Sequence, residues 1–579
     1  MNDIANILDV ILRKEEEETS EETTEESTED FFVTASDESG VQQNQLNTVP
    51  PSPIEIDPEP KTETEPAVTI ATEAVTTTEK IIVTEPPPPA PVQNPQETEK
   101  SETIEAAFIA SSDRTIDVLT VFPDIPEKLK NVPFPESLHM IDSLKKNIRN
   151  LANFSSKDFG GMEFYIATTD ATLFTPRLGY GMLSDARRYR TNLVDAECKA
   201  VIMSIEKPKE TIFGDIKKDL NAGVYVGDII CVPFNIQSEL VRNGLLMNLN
   251  KIPFLNLNAE YYNASATESL TVNGNIYGLV SDLTFNPSNI YAVFYNRALI
   301  NKYNISNPLE LYKNGGWTYD GMLGVAKELT AAINNLNDDT RWSIGLDKEN
   351  GDIINGLFIS SGNKYFTKKD YDFPVLNFNN ERTLKLLDVL AKIFAPKEES
   401  GIDNYLVDGE WNQNKAFTNG NVLFTIAKLD IIPNISDINF NWGILPTPSL
   451  NSEDKIYSFT DGGAMCVSIP KGARNSEACG VVTNALSIAS YRQLQDIYVS
   501  EQMLYRLRDV DSVKILGDII NNTAFNQYNA FSTIPEIYGA TVGILKESAK
   551  QKDSFPGLYE EKKNILNEFF KNTKIFDRW

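Results

Sequence analysis

The stretch NGNIYGLVSDLTFNPSNIYAVFYNRALINKYNISNPLELYKNGGWTYD, Asn273 to Asp320, decides how this chain reads. Asn273-Gly274 is a turn signal, and the apolar run Ile276 to Val280 after it is expected to form a strand. Ser281 and Asp282 interrupt that run with a polar pair. A second run, Ile290 to Tyr295, is almost wholly apolar and aromatic and is bounded by asparagines, as a strand covered on both faces would be. Arg297 to Tyr303 reads as a short helix, and Trp317-Thr318-Tyr319-Asp320 opens a longer one, Asp320 to Leu336. Two buried strands joined by a polar crossover, then a helix, suit a chain passing from one α/β lobe into another.

Outward from this stretch the same alternation recurs. Gly160-Gly161 precede a strand, Met162 to Ala167, and further strands are expected at Ala200 to Glu206 and Val226 to Val232. Helices are expected between and after them, at Ala186 to Glu197, Lys209 to Ala222 and Phe234 to Leu246. Strand and helix in alternation are the signature of a doubly wound α/β lobe. Beyond Trp317 come helices at Arg382 to Phe394 and Glu410 to Thr418, and strands at Val422 to Ile426 and Asn441 to Leu445. Tyr457 to Ile469 mirrors the first crossing and is read as the return. Ser476 to Ser490, Tyr491 to Gln502, Pro535 to Lys550 and Gly557 to Lys571 complete the helices.

The net charge of −29 is unevenly placed. Met1 to Ala110 holds 26 Asp and Glu against 5 Lys and Arg, so the acidity belongs chiefly to a tail. Glu15 to Ala107 is rich in Glu, Thr, Ser and Pro, and such a composition cannot bury enough apolar surface to fold. As a flexible tether its reach would be about 50–60 Å. No basic stripe with interleaved aromatics suggests nucleic acid. Cys198, Cys231, Cys466 and Cys479 lack metal-ligand spacing and read as small buried residues, with one disulfide left open. The single histidine, His139, lies in a lead-in stretch, so neither HExxH nor a Ser-His-Asp triad on an ordered histidine can be built. The loop Asn334 to Arg341 lacks the glycine and distal glutamate of a calcium loop. No cofactor and no metal are expected.

The order of motifs resembles the bacterial extracellular solute-binding proteins, family 1, maltose-binding-protein-like, which serve sugar ABC importers. The residues that carry the likeness are Tyr277-Gly278-Leu279-Val280-Ser281-Asp282-Leu283, Phe294-Tyr295-Asn296-Arg297, Trp317-Thr318 and Trp342-Ser343-Ile344-Gly345. It continues through Ala416-Phe417-Thr418-Asn419-Gly420, Trp442 to Pro448 and Gly462 to Pro470. The resemblance implies an α/β, two-lobed periplasmic-binding-protein-like fold with interlobe hinge crossovers, preceded by the long disordered acidic linker. The expected organisation is a tether over 1–110 and a lead-in over 111–158. Lobe 1 would comprise 159–283 with 459–525, and lobe 2 would comprise 284–458 with 526–579. The implied function is capture of a carbohydrate in the interlobe cleft and its delivery to ABC permease transmembrane subunits, without covalent chemistry. A monomer, extracellular and tethered to the cell surface as a lipoprotein, is expected. Met1 to Arg13 lacks a secretory signal and a lipobox, so an anchoring segment beyond this N-terminus is part of that expectation. The alternatives are a secreted carbohydrate-active enzyme, which needs two carboxylates flanking a scissile bond, and a sensor presenting its ligand to a membrane kinase.

A sugar site needs flat apolar faces together with carboxylates and amides that satisfy pairs of hydroxyls. Ligands of open α/β sheets bind beyond the carboxyl ends of strands. That rule selects Asp170, Asn235, Asp282, Asp461 and Gly462, and the resemblance adds Glu349. Trp411 is the candidate stacking platform. The resemblance places the stacking tryptophan of maltose-binding proteins near Lys428-Leu429-Asp430, where no aromatic stands.

Overall fold

The computed structural model describes residues 127–573 apart from 136, 139–140, 155, 273, 337–340, 368–374, 462, 508 and 526–533. The acidic tail, His139, Gly462, Trp579 and half of the Asn334–Arg341 loop lie outside the described residues.

The chain lays down β1 (Met162–Thr168), β2 (Ala200–Glu206) and β3 (Ile229–Pro233) in one sheet. It crosses to a second and builds β4 (Ile290–Asn296), β5 (Trp342–Asp347), β6 (Tyr405–Val407), β7 (Val422–Lys428), β8 (Trp442–Leu445) and β9 (Ser458–Thr460). It returns to the first sheet for β10 (Met465–Ser468) and leaves again for β11 (Thr523–Ala524). The first sheet runs β10-β3-β1-β2, the second β6-β5-β7-β4-β9-β11 with β8 also on β4. β1, β2 and β3 are parallel, and β10 joins β3 antiparallel. No described helix is long and apolar enough to cross a membrane.

Local chemistry explains the boundaries. β4 is buried at every residue, and each such Val or Phe contributes about 1.5–3 kcal/mol on leaving water. It ends at Asn296, whose side chain accepts a hydrogen bond from the Leu299 N–H and starts the helix Arg297–Tyr303. That helix stops at Asn304, which takes the left-handed conformation at φ 50°. Trp317, fully buried, donates its indole N–H to the Pro446 carbonyl at 2.8 Å and fixes the start of the helix Tyr319–Leu336. All four cysteines are free and buried.

Two expectations are corrected. The run Ile276 to Val280 is not a full strand: only Asn275–Ile276 pairs as one, and Leu279 instead exchanges two 2.9 Å backbone hydrogen bonds with Val467 of β10. Gly278 packs so closely on the helix Phe234–Arg242 that a Cβ there would lie 3.0 Å from Gln237 Nε2. The run therefore bends over that helix. Pro535 to Lys550 is two helices, Pro535–Gly539 and Val542–Lys550, because the Thr541 backbone leaves the helical region and its hydroxyl bonds back to the Ile537 carbonyl.

Two segments are tied to the first sheet's helices by polar groups. The helix Asp142–Ala152 buries Leu144, Ile148 and Leu151, and Asn147 donates to the Tyr491 carbonyl at 2.8 Å. The first crossover is held from the helix Met182–Cys198 by two buried arginines. Arg187 donates to the Phe285 carbonyl at 2.7 Å, and Arg190 donates to the carbonyls of Leu283, at 3.3 Å, and Leu173. Burial disfavours both charges and pulls their pKa values down to about 10 and about 9. They stay protonated at neutral pH.

The helix Gly351–Ser360 crosses β9 at Gly356, where a Cβ would fall 1.9 Å from the ring of Phe459. Phe459 is itself stacked on Tyr291 of β4, centroids 4.6 Å apart. Gly356→Ala is expected to destabilise the fold by about 2–3 kcal/mol through overpacking. Urea unfolding should show a lower midpoint at unchanged slope.

Candidate functional site

β4 begins where β7 and β9 end. Antiparallel pairing sets Lys428 opposite Tyr291 on one side and Phe459 opposite Tyr291 on the other. β5, parallel to β7, finishes at the same edge of the second sheet. In the first sheet, β3 ends at Pro233 opposite Met465, the first residue of β10. Residues 461–464 are all that separate the end of β9 from the start of β10. The edges where these strands end are thus joined by a very short return segment, with Asp461 inside it. Asn289, just before β4, donates to the Gly463 carbonyl at 3.1 Å and ties the two crossings together.

Asp461 is the buried centre of a charged group. It is 8% exposed, its Oδ2 lies 3.2 Å from Lys428 Nζ, and its Oδ1 accepts the Gly463 N–H at 2.8 Å. The Lys428 ammonium also stands over the Tyr291 ring, 5.6 Å from its centroid. Burial works against that ammonium, but Asp461, Glu410 and Asp430 outweigh it and hold its pKa above the ordinary lysine value. Asp352, half-buried in the first turn of Gly351–Ser360, belongs to the same group. Burial pushes its carboxyl up to about 6, Asp461 and Glu410 add to the rise, and Lys428 and Lys209 oppose it. Lys209 follows β2 of the first sheet, and its charge is felt at Asp352 on the second. The side chains of Asp352, Glu410 and Asp430 have no hydrogen-bond or ion-pair partner among the described residues.

The other residues selected from the sequence have separate surroundings. Asp170 follows β1 and accepts from the Thr172 N–H at 2.9 Å and its hydroxyl at 2.6 Å. Asn235 is half-buried just after β3 and accepts from the Ile236 N–H at 2.8 Å. Both sit at the carboxyl edge of the first sheet. Glu349 is exposed after β5 and paired with Lys546. Trp411, beside Glu410 in the first turn of Glu410–Thr418, is 74% exposed, so its ring is free for stacking. Asp282 accepts from the Arg492 N–H and, at 2.7 Å, from Gln495 Nε2, at the start of the helix Gln493–Tyr505. Burial pushes its pKa up to about 6. It lines a cavity of about 300 Å³ with Tyr262, Phe285, Met465 and Phe525, on a flank of the crossovers. A wider groove of about 630 Å³ shares Asn263, Thr523 and Phe525 with it and runs on to Lys364 and Tyr457.

Sequence reasoning missed Tyr291, Asp352, Glu410 and Lys209. Asp352 follows the Asn350 cap that opens the helix after β5, three residues beyond Glu349, the position the resemblance supplies. Tyr291 had no signal: inside an apolar run its ring reads as core. At Lys428 and Asp430 the sequence shows only the lack of an aromatic. Among the described residues no three His, Cys, Asp or Glu side chains are grouped to hold a metal ion.

The profile of the family described as bacterial extracellular solute-binding protein matches residues 198–486. The chain belongs to that family. No curated protein sequence matches it. The sugar-binding protein MalE from Xanthomonas citri superposes with a TM-score of 0.50 at 13% identity, covering 72% of this chain and 100% of its own. The galacto-N-biose-/lacto-N-biose I-binding protein of the ABC transporter from Bifidobacterium longum gives 0.48 at 14% identity, covering 72% and 99%. The fold of this solute-binding protein is the two-lobed periplasmic-binding-protein-like α/β architecture expected from its sequence.

An acid whose pKa is raised in the native state is more protonated there than in the unfolded chain, so stability falls as pH rises from the unfolded value towards 6. Asp352→Asn is therefore expected to stabilise the protein by about 1 kcal/mol at pH 7.5 and to change little at pH 4. Urea unfolding of both forms at the two pH values measures the difference.

Proposed function

We propose that this chain is the ligand-capturing subunit of an ABC importer, taking up a carbohydrate between its lobes outside the cell and presenting it to the permease. The observation that carries this reading is the group around Asp461, where a buried ion pair and partnerless carboxylates gather at the segment joining the two sheets. Carboxylates with open acceptor positions suit the paired hydroxyls of a sugar, and the exposed Trp411 face suits its C–H surface. The similar Xanthomonas citri structure is of a sugar-binding protein, which supports the same ligand class here. Proposed contacts are Asp352, Glu410, Asp430, Asp461, Gly462 and Trp411, with Asp170 and Asn235 from the facing lobe and Asp282 and Glu349 at its margins. Ligand touching both lobes would shift an open–closed equilibrium towards the form a permease recognises, by no more than its differential affinity for the two forms. A surface tether through the acidic N-terminal stretch belongs to the same proposal.

A thermal-shift screen of the full chain against mono- and oligosaccharides, with product analysis of every hit, tests it. A saturable rise with intact ligand is expected, equivalent to about 2.7 kcal/mol at a hundredfold excess over Kd. Asp461→Ala should abolish the rise in a chain that still melts cooperatively. Cleaved ligand would replace binding with catalysis as the function.

A further inference from the structure

The charges at the return segment do not balance. Asp461 and Glu410 act on both Asp352 and Asp430; Asp352, Asp461 and Glu410 act on Tyr291, and Asp461, Glu410 and Asp430 act on Lys428. Among the described residues, the cations acting on Asp352 and Asp430 are Lys428, which lies 3.2 Å from Asp461, and, for Asp352, the exposed Lys209 that follows β2. The second observation is a buried hydroxyl. Tyr291 is 1% exposed, and its Oη has no hydrogen-bond partner, with Asn350 nearby but outside bonding geometry. Its charged neighbours are Asp352, Asp461 and Glu410, so it is aimed into the same group. A buried hydroxyl is ordinarily paired. Here a bound molecule would supply the missing partner.

We propose that the solute held between the lobes carries a protonated amine, which Asp352 and Glu410 receive as carboxylates while the Tyr291 hydroxyl completes its shell. The inference rests on reading this cleft as the ligand site and deepens it from a saccharide to an amine-bearing one. Neutral hydroxyls could occupy the acceptor positions, but they would leave the excess negative charge in place. An ammonium donates three hydrogen bonds, accepts none and cancels one charge.

Matched probes separate the possibilities: the β-1,4-linked glucosamine disaccharide, its di-N-acetylated twin, neutral cellobiose, and spermidine as a cation without a sugar ring. Isothermal titration of the full chain is expected to show the amine disaccharide binding about tenfold or more tighter than either neutral twin. The preference should shrink when salt rises from about 20 to about 300 mM. Asp352→Asn with Glu410→Gln should reduce it to about threefold or less, with the melting transition retained. An amine disaccharide and spermidine that both bind no tighter than the neutral twins overturn the inference. Tight binding of the neutral twins in that case would leave the carbohydrate reading standing. Binding of spermidine with no saccharide bound would uphold the cationic ligand and remove the carbohydrate reading.

Discussion

β4 has no exposed residue and no free edge. β7 pairs along one side of it, and β8 and then β9 share the other. A strand so enclosed must find a partner for each backbone group inside the protein, since an unpaired buried amide or carbonyl costs as much as a lost hydrogen bond. Its position then governs its neighbours. β7 has to finish and β9 has to finish where β4 starts, and the chain has to leave the second sheet there. The crossovers, the return segment and the polar residues that follow the strands converge on that edge for this reason. The buried arginines Arg187 and Arg190 act on the same place from the other lobe, holding the carbonyls on the way into β4.

Two buried aspartates show how differently one residue type can be used. Asp228, fully buried just before β3, accepts the Tyr165 N–H at 3.0 Å and two hydrogen bonds from Arg474, at 2.7 and 3.2 Å. The Arg474 guanidinium lies against Tyr165 and Tyr225. Both oxygens of that carboxylate are engaged, at the amino end of the sheet, and its role is to hold the fold. At the carboxyl edge Asp352 has no partner for its carboxylate, and its raised pKa records the cost of keeping it there. Groups kept at such a cost are where function is expected to sit. Asp282, equally raised, is the intermediate case, with its carboxylate engaged by the start of a helix and a cavity beside it.

The elements were largely legible in the sequence. Ile290 to Tyr295 reads as a buried strand, Arg297–Tyr303 and Glu410–Thr418 carry their own boundaries, and Asp461 stands out because ligands of open α/β sheets bind beyond the ends of strands. The run Ile276 to Val280 misled because its apolar composition says nothing about the helix it must bend over. Thr541 splits a helix for a similarly local reason, a hydroxyl returned to a carbonyl, that periodicity does not report.

By itself the sequence determined the alternation of strand and helix behind the two-lobed α/β fold, the acidity of the tail, and the presence of a single histidine. Those depend on alternation, composition and turn chemistry, which are local along the chain. Only the tertiary structure decided that Tyr291, Asp352, Glu410 and Lys428 stand round Asp461 while Asp282 and Glu349 are engaged elsewhere. A charge group of this kind is assembled from strand register and helix entry points at positions from 291 to 461. Its energy depends on distance and burial, neither of which a linear pattern contains.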